Sequence, residues 1–425
     1  MNNTGTIESS KFKPLSLDDL LDILGLTIKR DEENKIVTFL CELSAYTENA
    51  QFNLSFNAPS STGKSYIPLE ISNLFPAEDV MKLGNCSPTA FFHEQGIYDK
   101  ERNVITVDLS RKIIIFLDQP HNALLERLRA LLSHDEKEMH SKITDKNQKG
   151  GNRTKTVIIR GYPSVIFCSA GMKIDEQEAT RFILLSPEVN YEKIRQAILQ
   201  TIRKESDGDQ YKTWLEENPA RKLLKERIVA IKEEQIEEIK IPQLGSIEEM
   251  FLGQHRMLKP RHQRDIKRLI SIIKSLALLN LWWRERSGTT ISANEEDITE
   301  GFRIWDKISA SQELNLPPYI FNLYQEVILP AWKEKNANLV TGGLTRQELL
   351  QKHFDLYGRM LDGHQLRQQI LPMLETAGLI IQEPDPNDKR KLLIYPAISL
   401  QNNSETTGGV DDDLDIFNQD TTPTP

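Results

Sequence analysis

Cysteine is scarce: Cys41, Cys86 and Cys168 are the only three in 425 residues, far apart and without a CxxC pair. Their spacing excludes a disulfide framework and a zinc ribbon, and three buried thiols are the expectation. The eight histidines show no metal-ligand spacing, and His134 and His140 carry no HExxH pattern. Long apolar runs are missing as well. "IIIFL" at Ile113 to Leu117 and "LALLNLWW" at Leu276 to Trp283 fall well short of the roughly 20 residues of a membrane span. The polar N-terminus has no apolar signal region, so a cytoplasmic protein without a membrane partner is expected.

Positive charge is also in deficit, with a net charge of -9. The deficit is uneven. Residues 401–425 carry Glu405, Asp411, Asp412, Asp413, Asp415 and Asp420 with no Lys or Arg, which accounts for -6 of the -9. The remaining body is near neutral and can carry local basic surfaces that bind phosphates. With 39% hydrophobic and 27% charged residues, the chain has the composition of a soluble protein of two or three domains.

What is present is an ordered alternation. Short helices over "LSLDDLLDILG" and "NKIVTFLCELSAY" form a lead-in over 1–50 that ends at the strand "QFNLSFNA". A helix through "SYIPLEISNLF", a strand at "DVMKLGN", the β-branched run "KIIIFLD", the helix "NALLERLRALLS" and the strands "SVIFCSA" and "RFILLSP" follow. Strands alternating with helices predict an α/β domain over 51–189 with a parallel sheet covered on both faces. From 190 to 310 the pattern is helical only; "NLPPYIFNLYQEV" and "ANLVTGG" in 311–343 read as connectors. Residues 344–398 have two helices followed by two short strands around a polar turn, the layout of a winged helix, and 399–425 is an acidic, low-complexity tail expected to be disordered.

The strand "QFNLSFNA" runs into Ala58, Pro59, Ser60, Ser61, Thr62, Gly63, Lys64, Ser65 and Tyr66, one residue away from the phosphate-loop pattern GxxxxGK[ST], with Ala58 at the first glycine. Strand, loop and helix are the context in which backbone N–H groups converge on phosphates. In that reading Lys64 meets the β- and γ-phosphates and Ser65 ligates Mg²⁺; the competing reading is a serine-rich turn. The strand "IIIFLD" favours the first, because it ends in Asp118, a carboxylate placed to hold Mg²⁺ beside the loop.

These motifs make the chain resemble the AAA+ ATPases, and most closely the MCM-like helicases of plasmids and mobile elements, over roughly Gln51 to Ile308. The resemblance implies that Ser169 of "FCSA" reads the γ-phosphate, that Arg181 of "EATRF" reaches a neighbouring subunit's ATP, and that Arg264 of "RDIKRLISIIKSLA" lies over the phosphates as a second sensor. It implies a ring oligomer with ATP and Mg²⁺ between subunits. One departure matters. The family's catalytic Glu is replaced by Gln119, an amide that can orient water but cannot take a proton at pH 7. Glu94 and, less well placed, Glu126 are the other candidate bases.

The same resemblance makes "KITDKNQKGGNRTKTVIIRG" a hairpin directed into a ring's pore. Its Lys142, Lys146, Lys149, Arg153 and Lys155 suit a phosphate backbone, while a solvated basic loop is the plainer reading. Arg256, Lys259, Arg261, Lys267 and Arg268 are sensor, interface or surface charges, and Trp282 and Trp283 fit helical core. The segment "LPMLETAGLIIQEPDPNDKRKLLIYP" is similar to the MarR-type fold, with Lys389, Arg390 and Lys391 on the wing and Gln365, Arg367 and Gln368 on the preceding helix for DNA contact, or a docking module instead. "VDDDLDIF" reads as a solubilising tail or as a short motif, anchored by Leu414, Ile416 and Phe417, for a replication protein. The expected function is an ATP-driven DNA motor; the alternative is an ATP-switched DNA-binding regulator or helicase loader.

Overall fold

In a computed structural model the chain is described over residues 11–94, 96–145, 153–169, 181–255, 257–337 and 342–397. It divides into two compact units, 1–322 and 323–425.

The first unit is α/β, built on a five-stranded, all-parallel sheet. Its strands are β1 (Leu54–Asn57), β2 (Val80–Leu83), β5 (Ile113–Phe116), β8 (Ser164–Ser169) and β9 (Ile183–Leu185), in the spatial order β2-β5-β8-β1-β9. The first strand in sequence therefore lies inside the sheet, next to the edge strand, flanked by β8 (Asn57 opposite Ser169) and β9 (Leu54 opposite Ile183). Alternation of side chains sorts the apolar residues onto two faces. Ile113, Ile115, Ile166, Leu54 and Phe56 enter one core cluster, and Ile114, Phe116, Val165 and Phe167 the other. Each fully buried side chain of this kind contributes about 1.5–3 kcal/mol.

Helices Glu32–Ser44, Tyr66–Ser72, His262–Leu279 and Glu295–Glu313 supply the first face. The segment expected as a lead-in and the one expected as a lid thus share one core with the sheet. The second face is covered by the helix Asn122–Leu132, through Leu124, Leu125, Leu128, Leu131 and Leu132 at helical spacing, and by a second sheet. That sheet was not foreseen. It joins β3 (Ile97–Asp99), β4 (Val104–Asp108), β6 (Glu138–Asp145) and β7 (Arg153–Arg160) in the order β3-β4-β7-β6. The basic hairpin is its β6–β7 pair and starts earlier than expected, at Glu138. A parallel pairing of β4 with β7 fastens it, and Val107, Val157 and Ile159 pack beneath it. Gly161, at φ +87, makes the turn from β7 into β8; a Cβ there would lie 2.1 Å from Ser110 Oγ.

The stretch 190–310, expected to be helical only, opens with Tyr191–Ser206, Gly208–Glu217 and Pro219–Glu233, each start capped by a side-chain oxygen of Asn190, Asp207 or Asn218, but it also holds a small sheet of Glu238–Lys240, Glu285–Ser287 and Thr290–Ser292. Among the described residues no helix is long and apolar enough to cross a membrane.

The second unit begins inside 311–343, which sequence reads as a connector and of which 338–341 lie outside the described residues. Tyr324–Ile328 and Leu329–Asn336 are helical. The first is a π stretch, as is Leu366–Ile370, and each precedes a proline, Pro330 and Pro372, whose missing N–H and bulky ring a normal α-turn could not accommodate. Helices Arg346–Tyr357 and Leu371–Thr376 follow, then the antiparallel strand pair Ile380–Pro384 and Leu392–Pro396, with Leu344 bridging to Ile394.

A pH dependence follows from His134. Its ring packs on Tyr162, with centroids 4.5 Å apart, and its buried Nε2 lacks a hydrogen-bond partner among the described residues. Desolvation, aided by Lys267 and opposed by Asp135, holds its pKa down at about 4. The unfolded chain takes up this proton near pH 6.5 and the folded chain does not until about pH 4, so stability falls as pH drops through that window. The expected loss is up to about 3 kcal/mol. Urea unfolding of the wild type and His134→Phe at pH 7 and 4.5 measures it; equal pH slopes would contradict this assignment.

Candidate functional site

The carboxyl ends of β5, β8 and β1 lie side by side, and the loop 58–65 leaves the last of these. Sequence left open whether Ala58 could stand in for glycine. It can, because Ala58 is not among the positive-φ residues; it is 1% exposed and donates its N–H to the Ser169 carbonyl at 3.4 Å. The left-handed positions fall later, at Ser61 (φ 66) and Gly63 (φ 88). Left-handed residues alternating with a negative-φ residue, Thr62, are the backbone pattern in which successive N–H groups form an anion-binding concavity. A Cβ at Gly63 would meet nothing within 4 Å, so the space over the loop is open. Serine in the left-handed region costs on the order of 1 kcal/mol, strain of the kind found at ligand sites.

Lys64 and Ser65 are half-buried at the start of the helix. Among the described residues the Lys64 ammonium has no hydrogen-bond or ion-pair partner, and Ser65 makes no side-chain cap. Opposite them, Asp118 and Gln119 emerge exposed from β5. Asp118 Oδ1 accepts the Gln119 N–H at 2.8 Å, and Ser169 Oγ donates to Gln119 Oε1 at 2.9 Å. Cys168 Sγ touches the Lys64 carbonyl at 3.6 Å, and burial pushes its thiol up to about 12, so it is a packing group and not a nucleophile.

The fold thus gathers Lys64, Ser65, Asp118, Gln119 and Ser169 at one edge of the sheet. Arg181 is elsewhere. It precedes β9 at the amino edge, about 10 Å or more of strand away, and donates to Ser133 Oγ at 2.8 Å. Arg264 is exposed in the first turn of His262–Leu279, next to Asp265, which is buried with Arg261 (2.8 Å) and Arg268 (2.9 Å). Glu94 is exposed after the turn Ala90–Phe92, and Glu126 is exposed on its helix. Trp282 stacks on Phe12 at 4.8 Å and bonds Glu234, as core residues do.

The basic set is split. Lys142 faces with Thr156, and Lys155 is opposite Ile143, so the two lysines point to opposite faces of the hairpin. Lys146, Lys149 and the Arg153 side chain fall outside the described residues, as do Arg256 and the tail motif. In the second unit Lys389, Arg390 and Lys391 are exposed, but Asp388 lies 3.2 Å from Arg390 and 3.6 Å from Lys391, which trims the positive field of that turn. Arg367 and Gln368 are exposed and Gln365 is half-buried.

Sequence reading missed the brace on the loop. Tyr66 OH donates to the Thr27 carbonyl at 2.9 Å, and Gln200 Nε2 reaches both Thr27 O (2.6 Å) and Tyr66 OH (3.3 Å). Sequence separations of 39 and 134 residues leave no local signal for it. The chain matches no protein-family model and no curated protein.

Proposed function

We propose that this chain is an ATP-driven DNA motor of the AAA+ class, similar to the MCM-like helicases, with a C-terminal winged helix. The observation that carries the reading is the bond from Ser169 to Gln119 beside Asp118, at the strand ends near Lys64, whose ammonium has no partner among the described residues. A cation, a hydroxyl and a carboxylate meeting over an open, left-handed loop suit a triphosphate with its metal. Ser65 and Asp118 offer hard oxygen ligands of the kind Mg²⁺ prefers, and that ion would neutralise phosphate charge there. Lys64 binds the phosphates, Gln119 positions water and Ser169 holds the Gln119 amide in place.

The strand order, with β1 between β8 and β9 and the loop at its carboxyl end, supports a nucleotide at that point of the sheet. Arg181, at the opposite edge of the sheet, is assigned in this reading to a second copy's nucleotide, as in a ring. An exposed stripe of Ile194, Ile198, Leu199 and Ile202 on Tyr191–Ser206 is a surface a neighbour would cover. The hairpin's lysines are assigned to the DNA backbone. In the second unit, a bridge to the sheet, two helices and a hairpin in sequence support the winged-helix reading. Gln119 in place of an acid favours one rival, a DNA-binding regulator or loader switched by ATP with little turnover.

Steady-state ATP hydrolysis with and without single-stranded DNA separates the two. The motor predicts turnover that DNA stimulates several-fold. In Lys142→Glu, at the exposed one of the two hairpin lysines, the stimulation is expected to fall while DNA-free turnover persists, because phosphate contacts contribute affinity without touching the nucleotide. Tight ATP binding with no turnover under either condition would leave the switch.

A further inference from the structure

We infer that His255, His262 and Glu313 form a binding site for a divalent transition metal, with zinc the expected ion. The three come from different elements. His255 follows the helix Leu244–Gly253, His262 opens His262–Leu279, and Glu313 closes Glu295–Glu313. One ligand atom from each lies within 4.8 Å of the others. His255 Nε2 and Glu313 Oε1 are already 3.3 Å apart. That matches the spacing of about 3.3 Å between ligands in a tetrahedral zinc centre with bonds near 2.0–2.1 Å. Small side-chain rotations bring in the third.

The hydrogen bonds around the cluster are those of ligands. His255 Nδ1 lies 2.8 Å from the Phe251 carbonyl, and a proton donated there leaves the Nε2 lone pair facing Glu313. His262 is 4% exposed, with its ring 4.0 Å from that of His255, and its buried Nε2 has no hydrogen-bond partner among the described residues. A buried ring nitrogen without a partner is costly, and a metal would satisfy it. Ligation there moves the imidazole proton to Nδ1, giving up a long 3.3 Å contact from the Lys259 N–H. Lys259 Nζ, 3.9 Å from Glu313 Oε2, opposes a cation, but its side chain is half exposed and can swing away.

Two imidazoles and a carboxylate select a borderline ion over Mg²⁺ or Ca²⁺, and three protein ligands leave a fourth position for water. Bound there, the ion ties the start of the helix that carries Arg264 to the end of Glu295–Glu313. The site stands on residues away from loop 58–65 and is independent of the nucleotide reading.

The test uses the metal-stripped full-length protein. Co²⁺ serves as an optical probe, and Zn²⁺ affinity is measured by competition with a chromophoric chelator. One ion per chain is expected, with visible d–d absorption and a rise in unfolding midpoint on adding Zn²⁺. His262→Ala and Glu313→Gln should each weaken binding at least about 100-fold, while His364→Ala, in the second unit, leaves it unchanged. Glu313 is partly exposed, so its amide variant tests the site even if His262→Ala fails to fold. Zn²⁺ binding equally tight in wild type and Glu313→Gln, or no binding by the wild type, would overturn the site and leave an ordinary His255–Glu313 ion pair.

Discussion

Lys64→Ala is expected to abolish measurable ATP turnover while leaving the fold intact. The side chain is half-buried and has no hydrogen-bond or ion-pair partner among the described residues, so its removal breaks no ion pair and opens no core cavity. Its unfolding midpoint in urea should match the wild type. The loss falls on the nucleotide, because the ammonium is the only cation supplied by loop 58–65. Removing one preorganised donor from developing phosphoryl charge costs about 10²–10³-fold in kcat, and a charge-assisted hydrogen bond is worth about 1.5–3 kcal/mol of affinity. Turnover retained within a few-fold in Lys64→Ala would mean that the loop is a serine-rich turn and that the nucleotide, if bound, sits elsewhere.

Gln119→Glu should move the other way. The amide at 119 accepts the Ser169 hydroxyl proton at 2.9 Å and cannot take a proton from an attacking water at neutral pH. A carboxylate in the same place can act as general base, a contribution of about 10²–10⁴-fold in other enzymes. We expect kcat to rise by about 10²-fold, and Ser169→Ala to remove much of that gain by releasing the carboxylate from its hydrogen bond. The readout is single-turnover hydrolysis, so that slow product release does not mask the chemical step. An unchanged rate in Gln119→Glu would place the base on another residue, with Glu94 the first to replace. A fall in both binding and turnover would instead mean that the added negative charge beside Asp118 repels the phosphates, and the switch reading would gain.

Sequence alone determined the elements whose signals are local. The run "IIIF" is β-branched and continuous because β5 is buried on both faces, and the helix Asn122–Leu132 carries its leucines at helical spacing. The phosphate-loop motif pointed to Lys64 and Ser65, the acid ending an apolar run to Asp118, and the family resemblance to Gln119 and Ser169; the hydrogen bond between the last two is a finding of the fold. Tertiary structure decided the rest, through contacts made by residues far apart in the chain. Whether Ala58 fits the loop depended on its φ and on a bond to Ser169. The second sheet needed β4 to find β7 some 50 residues on, a pairing that short polar strands do not announce. Arg181 and Lys64 belong to opposite edges because consecutive parallel strands run the same way, so residues before and after a strand are separated by its length. The histidines looked unrelated for the same reason. His255 and His262 acquire a carboxylate only when Glu313, at the far end of another helix, packs beside them.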